Sequence, residues 1–261
     1  MNRRKENVAV AIRVRPALER EVTAKGTFRS CVGLPKHGED GEIYVVKKDV
    51  PVLVDDSGAL VSGEDPTTLA KFNFDRVFGS TTTTAFVYSS FCGGIVESAI
   101  NGRNNTIFAY GQTGSGKTYT MFAGKDAIVD LISADLFSEP SVEVSASFMQ
   151  IYNKNISDLS NPNANRSLRI QENSKTGEIL VPGLSQAKVE GRAQLNNFIK
   201  RCLKNRVTVG TRLNSTSSRS HAILTFHLNC STKETQAKIN IVDLAGSERV
   251  KDSQVIGSDF R

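Results

Sequence analysis

The stretch from Asn105 to Met121, NTIFAYGQTGSGKTYTM, restricts the folds open to this chain more than any other. It opens with an apolar run at Ile107, Phe108 and Ala109, passes through a glycine-rich turn from Gly111 to Gly116, and leaves through Lys117, Thr118 and Tyr119. Strand, loop and helix in that order, with Gly111, Gly116, Lys117 and Thr118 in the fixed places of G-x-x-x-x-G-K-[ST], read as a phosphate-binding loop. Gly114 and Gly116 lack a Cβ, so the backbone from Gln112 and Thr113 to Ser115 is free to wrap its N–H groups around phosphate oxygens at the positive end of the next helix. Lys117 supplies a flexible point charge to the outer phosphates, and the Thr118 hydroxyl is a Mg²⁺ ligand. A chance match of four fixed positions in a chain this long has a probability on the order of 1%. The loop by itself names neither the nucleotide nor the work done.

Composition narrows the class. A chain of 261 residues suffices for one large domain or two small ones and buries roughly three quarters of its unfolded surface without a staple. The four cysteines (Cys31, Cys92, Cys202, Cys230) are scattered, with no C-x-x-C pair and no metal-ligand spacing, as in a reduced intracellular protein. No apolar run approaches a membrane span, and the N-terminus passes from charge into an alternating strand without a cleavage signature. A net charge of +6 favours a polyanionic partner. Aromatic residues amount to 7%, with no tryptophan and no basic segment interleaved with stacking rings, which disfavours nucleic acid.

Taken in order, Asn7 to Pro16 alternates as a half-buried strand whose exit carries Arg13, Arg15 and Pro16. Leu18 to Asp65 is polar and irregular, with strands at Glu42 to Lys48 and Val52 to Val54. Phe72 to Phe78 alternates as a strand, the threonine run Thr81 to Thr84 offers helix caps, and Phe86 to Asn101 has helical spacing. Beyond the phosphate loop come a helix at Ala127 to Phe137, a strand at Val142 to Tyr152 and a polar surface loop from Asn153 to Arg166. A hairpin joining Leu168–Ile170 to Ile179–Val181 follows. Gly191 to Arg206 reads as an amphipathic helix with Lys200, Arg201, Lys204 and Arg206 on solvated faces. Ser220 to Cys230 and Ala237 to Asp243 form antiparallel neighbours joined by STKETQ. No internal repeat and no linker between two domains is visible.

Two further strings sharpen the reading. Asp243, at the end of the strand KINIV, opens DLAGSE, so a carboxylate at a strand end precedes Gly246, a placement suited to Mg²⁺ and a γ-phosphate sensor. Upstream, Asn214 to His221 reads NSTSSRSH, dense in small hydroxyls. With these in hand the chain closely resembles the kinesin motor family. GQTGSGKT, NSTSSRSH and DLAGSE look like its phosphate loop and two switches, and IRVRP looks like its adenine-side motif. FDRVF, MQIYN and VPGL fall where the family has related segments, so the likeness covers essentially the whole chain.

The resemblance implies an α/β P-loop domain, a mixed central sheet flanked by helices on both faces, spanning residues 1–261 and incomplete at its C-terminus. It implies a microtubule-dependent motor ATPase using ATP and Mg²⁺, with tubulin as partner, cargo or partner chains bound through other regions, and a place on cytoplasmic microtubules. Arg13, Arg15, Pro16 and Tyr119 would border adenine and ribose, and Lys117 and Thr118 would hold phosphates and metal. Asp243 would hold Mg²⁺ through water. Asn214, Ser217 and Ser218 would close on the γ-phosphate and metal shell, the Gly246 N–H would sense the γ-phosphate, and Arg219 with Glu248 would form the ion pair that shuts the site. Departures from the family include Thr84, Gln150 in place of an acidic residue, Lys154 in place of another, a shortened loop at Gly124 to Asp126, and Gln254 in the second switch. The chain also stops where the family continues into its main filament-binding helix. Two rivals remain: a GTPase or small-molecule kinase, disfavoured because Asn153-Lys154-Asn155-Ile156 lacks the guanine-reading aspartate, and a nucleotide-binding microtubule tether without efficient turnover.

Overall fold

The alternating runs at Val142–Tyr152, His221–Cys230 and Thr235–Asp243 form the longest strands, whereas the run read from Asn7 to Pro16 yields only the strand Ala11–Arg13, with Val8 and Val10 exposed. The computed structural model describes residues 8–21, 29–30, 32–34, 41–46, 52–53, 69–164, 167–212 and 219–248. The chain divides into two compact units, Met1–Cys92 and Gly93–Arg261.

In the first unit the strands β1 (Ala11–Arg13), β2 (Arg29–Ser30), β3 (Val32–Gly33), β4 (Glu42–Val46), β5 (Val52–Leu53), β6 (Leu69–Asn73) and β7 (Arg76–Phe78) are short. They form a parallel pair β1–β7, an antiparallel pair β2–β5 and an antiparallel sheet β3–β4–β6. The run from Phe72 to Phe78, expected as one strand, is two. The break falls at Phe74 and Asp75, where the Asp75 carboxylate accepts from the Val10 N–H at 2.7 Å and the Asp75 N–H donates to Val10 O at 3.0 Å. Phe78 is buried and receives the rings of Phe86 and Phe91 edge-on, each 6.4 Å between centroids. Thr83 caps α1 (Thr84–Val87) by accepting from the Phe86 N–H at 3.2 Å, the use expected of the threonine run. α1 passes into a π-helical turn, Tyr88–Cys92. The single helix read from Phe86 to Asn101 is therefore interrupted, because Gly94 takes a left-handed φ of 82° that a side chain would strain.

The second unit runs through α2 (Ile95–Ile100), β8 (Asn105–Ala109), a π-helical turn (Tyr119–Ala123), α3 (Ile128–Leu136) and β9 (Val142–Tyr152). It continues with β10 (Asn155–Asp158), β11 (Gln171–Glu172), β12 (Ile179–Leu180), β13 (Ala187–Val189), α4 (Arg192–Arg212), β14 (His221–Cys230) and β15 (Thr235–Asp243). Its sheet has the order β10–β9–β14–β15–β8, with β13 also paired to β9. Only β15–β8 is parallel, so the sheet is mixed, as expected. Strand alternation sends Phe148, Leu224, Phe226, Ile239 and Ile241 to one face, each fully buried, where α2 and α4 pack. Phe122 from the π-helical turn joins this core against Phe148 at 5.3 Å. The opposite face, with Thr106, Ser147, His227 and Asn240, is an open trough walled by the β11–β12 hairpin. Lys238 fastens that hairpin through Glu178 at 2.5 Å. Among the described residues the helices of this unit thus cover one face of the sheet.

Two further local readings change, and one strand appears that the sequence pattern did not show. The polar segment after Tyr152 is not all loop: Asn153 and Lys154, at φ 44° and 67°, make a two-residue hairpin turn into β10. β13 is not legible as a strand in the sequence pattern. The second hairpin pairs Gln171–Glu172 with Ile179–Leu180, while Leu168 bridges to Ile156 instead.

Asp158, at the end of β10, organises this side of the unit. Its carboxylate accepts from the Ser160 N–H (2.8 Å), the Ser160 hydroxyl (2.7 Å), the Asn161 N–H (3.2 Å) and the Ser185 N–H (2.9 Å), tying the end of the β9–β10 hairpin to the approach to β13. Burial pushes its pKa up, but the hydrogen bonds from Ser160 and Ser185 outweigh burial and hold it below the ordinary aspartate value. A depressed folded pKa means stability that is present above the unfolded value and lost as pH falls through the folded one. Asp158→Ala should therefore cost about 1.5–3 kcal/mol at neutral pH. Urea unfolding of both proteins should show this cost shrinking once the pH drops below the usual aspartate range.

Candidate functional site

The glycine loop is built by local hydrogen bonds at the end of β8. Gly116 sits at φ 93° and Gly114 at 81°, both in the left-handed region that a side chain would strain. A Cβ at Gly111 would lie 2.7 Å from the Ser115 hydroxyl, which is buried inside the loop with no hydrogen-bond partner. Ser115 N–H donates to Gln112 O at 3.1 Å, and Lys117 Nζ donates to Gly111 O at 2.8 Å and Gln112 O at 3.0 Å. The lysine thus braces the loop from within. The turn beyond is π-helical: Gly124 N–H donates to Tyr119 O at 2.8 Å, and a Cβ on Gly124 would strike the Tyr119 ring at 2.7 Å. Tyr119 itself is half exposed.

The parallel register of β15 on β8 brings Asp243 opposite Ala109, at the mouth of this loop. Asp243 Oδ2 accepts from the Thr118 hydroxyl at 2.6 Å and from Arg206 Nη1, also at 2.6 Å. The ion pair is buried, with 1% of the Asp243 side chain and 3% of the Arg206 side chain exposed. Arg206 Nη2 donates further to Ser220 O at 2.9 Å, so one guanidinium joins α4, the start of β14 and the end of β15. Asp243 Oδ1 is buried without a partner. A hydroxyl and a carboxylate with a spare lone pair are hard oxygen donors that suit Mg²⁺, so these residues fit that ion. Past Asp243 the chain stays against the loop: Leu244 N–H donates to Ala109 O at 3.3 Å and Ser247 N–H to Gly111 O at 3.1 Å.

The model of the kinesin motor domain matches residues 13–261 of this chain. The chain belongs to the kinesin motor domain family. Among curated relatives it is similar to the kinesin-like protein NACK1 of Nicotiana tabacum, 32% identical, and to the kinesin-like protein KIN-7A of Arabidopsis thaliana, 33% identical. Each alignment covers 99% of this chain and 26% of the relative, so the chain spans about a quarter of their length. Among solved structures it is similar to the one described under "Structure of a fast kinesin: Implications for ATPase mechanism and interactions with microtubules". That match has a TM-score of 0.78 and 26% identity over 97% of this chain and 69% of that one.

Of the kinesin positions expected at the site, the structure brings Gln112 to Thr118, Asp243, Gly246 and Glu248 together. Asn214, Ser217 and Ser218 of the first switch lie outside the described residues, as does Gln254. Arg13, Arg15 and Pro16 belong to the first unit, where Arg15 is held bidentately by Glu21 at 2.6 and 2.8 Å and Arg13 donates to Thr82 O at 3.3 Å. The Arg219–Glu248 ion pair is not formed: among the described residues nothing pairs the two, and Arg219 is exposed. Glu248 instead accepts from the Thr113 N–H at 2.9 Å and from the Thr113 hydroxyl. The physical reason is local, since donors at the tip of the glycine loop face the carboxylate that follows Gly246. The Thr113 hydroxyl, with the backbone bonds, holds the Glu248 pKa below the ordinary carboxylate range.

Arg206 is the residue that sequence reasoning places wrongly. Its charge assigns it to a solvated basic face, and it is 4% exposed. The signal is present nonetheless, because Arg206 lies four residues beyond Cys202 and seven beyond Ile199, on the same buried stripe of α4 as Leu195. A buried carboxylate stripped of its guanidinium is costly, so Arg206→Ala should lose about 3–5 kcal/mol in urea unfolding. Lys200→Ala, at an exposed position of the same helix, should stay within about 0.5 kcal/mol.

Proposed function

We propose that this chain is the motor portion of a microtubule-dependent ATPase, binding ATP with Mg²⁺ and coupling hydrolysis through two switch loops to microtubule contact and movement. The observation that carries the proposal is the Thr118 hydroxyl against Asp243, at the exit of a glycine loop braced by Lys117. Mg²⁺, when bound, would neutralise phosphate charge. Thr118 and Asp243 are the residues that would hold it. Lys117 exchanges its carbonyl partners for phosphate oxygens, and the N–H groups from Gln112 to Gly116 wrap the phosphate chain. The Gly246 N–H, three residues past Asp243, is the γ-phosphate contact of the second switch.

Hydrolysis on this reading is positioning and charge stabilisation, without a covalent intermediate. Asn214, Ser217 and Ser218 are assigned to the γ-phosphate and metal shell on family likeness alone, and so is the adenine-side role of Arg13, Arg15, Pro16 and Tyr119. Closure requires Glu248 to leave Thr113 for Arg219, an exchange of one hydrogen-bond set for an ion pair. Loss of the γ-phosphate would reverse it. The net charge of +6 and the exposed Lys154 and Lys175 at hairpin turns suit the acidic surface of tubulin. Cytoplasmic microtubules are the proposed location. No helix among the described residues is long and apolar enough to cross a membrane.

Two measurements test this reading. Nucleotide binding should favour ATP over GTP and require Mg²⁺, and Thr118→Asn should raise the Mg²⁺ concentration that binding needs; equal affinity for ATP and GTP, or indifference to Mg²⁺, would refute the assignment. Glu248→Ala should retain ATP binding and lose turnover by roughly tenfold or more, measured as microtubule-stimulated phosphate release. Turnover at the wild-type rate in that variant would make the glutamate structural. An unvaried protein that binds nucleotide and microtubules without turnover would instead identify a tether.

A further inference from the structure

A row of side chains crosses the sheet beneath the site. Strand register sets Gln150 of β9 opposite Ala222 of β14, and Ala222 opposite Asp243 of β15. Side chains opposite one another in neighbouring strands share a face, so Gln150 and Asp243 lie on the buried face, about 10 Å apart at Cα by two antiparallel pairings. The residue between them carries only a methyl group and is fully buried. Both ends of the row are 1% exposed, and each carries an oxygen without a hydrogen-bond partner, Gln150 Oε1 and Asp243 Oδ1. α4, which delivers the Arg206 guanidinium to Asp243, packs on β9, the strand of Gln150. A neutral amide therefore occupies the one other buried polar position of this row, in a region where charge is weakly screened.

We propose that Gln150 is a positioning residue for Asp243: by being neutral it leaves the buried guanidinium of Arg206 committed to Asp243, which fixes that carboxylate's orientation and offsets its charge. An acid at position 150 would be a second carboxylate for the same guanidinium. The Arg206–Asp243 bond would then be shared, and Asp243 would present more of its charge to a divalent cation. The neutral residue thus tunes how strongly the site draws its metal. That last consequence rests on the function proposed above, whereas the division of Arg206 between two carboxylates does not.

The test is a double-mutant cycle read without nucleotide or metal. Urea midpoints are measured for the unvaried protein, Gln150→Glu, Asp243→Asn and the double variant. The expected result is that Asp243→Asn shifts the midpoint by no more than half as much in the Gln150→Glu background, because the introduced carboxylate takes over Arg206. Additive shifts, or a Gln150→Glu protein that does not fold, would overturn the proposal. Gln150→Met, neutral and of similar length, should leave the Asp243→Asn shift unchanged, and a changed shift would assign the effect to the amide's hydrogen bonding and defeat the argument from charge. The linked consequence is read as the Mg²⁺ concentration that half-saturates binding of a fluorescent ATP analogue, expected to fall about threefold or more in Gln150→Glu, a free-energy change of roughly 0.6 kcal/mol. A positive cycle with no Mg²⁺-dependent binding by the unvaried protein would leave Gln150 positioned as argued and sink the nucleotide reading alone.

Discussion

The buried carboxylate of Asp243 is the interaction on which the second unit depends. It receives the first hydroxyl beyond the phosphate loop, a guanidinium from α4 and, through that guanidinium, the carbonyl of Ser220. A charge held at 1% exposure survives only when paired and hydrogen-bonded. The need to satisfy it therefore draws three segments of distant sequence to one point. The hydrophobic face of the sheet supplies most of the stabilisation, through Phe148, Leu224, Phe226, Ile239 and Ile241. Apolar burial is non-directional, however, and it is the ion pair that orients the end of β15 against the glycine loop.

Much of this is legible in the sequence because its determinants are local. The glycine loop is a contiguous string whose geometry follows from missing Cβ atoms, and β14 with β15 show strict alternation around a short polar turn. The parts that escape depend on partners far along the chain. Arg206 looks solvent-facing to any reading that sorts residues by polarity, since its carboxylate lies 37 residues away. The turn at Asn153 and Lys154 escapes for another reason. Its left-handed backbone is taken by residues other than glycine, so the usual hairpin signal is absent.

Glu248 shows the limit of reading roles from a motif. Its identity suits an ion pair with Arg219, yet its environment offers two Thr113 donors nearer at hand. A glycine loop shaped to collect anions does not distinguish a phosphate from a carboxylate of its own chain. On the function proposed above, the same donors would serve phosphate and protein in turn, and that competition would couple site occupancy to the position of the segment that follows Asp243.

The position of β8 has a mechanical consequence. Among the described residues this strand borders the sheet on one side and hangs from β15 alone, so the phosphate loop and Asp243 ride on adjacent strands as a single lever. Neighbouring strands are rotated by roughly 20–25°, and any change of twist accumulates with each strand crossed. Torsion of the sheet would disturb the row from Gln150 to Asp243, which spans three strands, before it altered the separation of Thr118 and Asp243, which spans two. The separation of the loop from its carboxylate is thus less open to twist than the row that crosses β14.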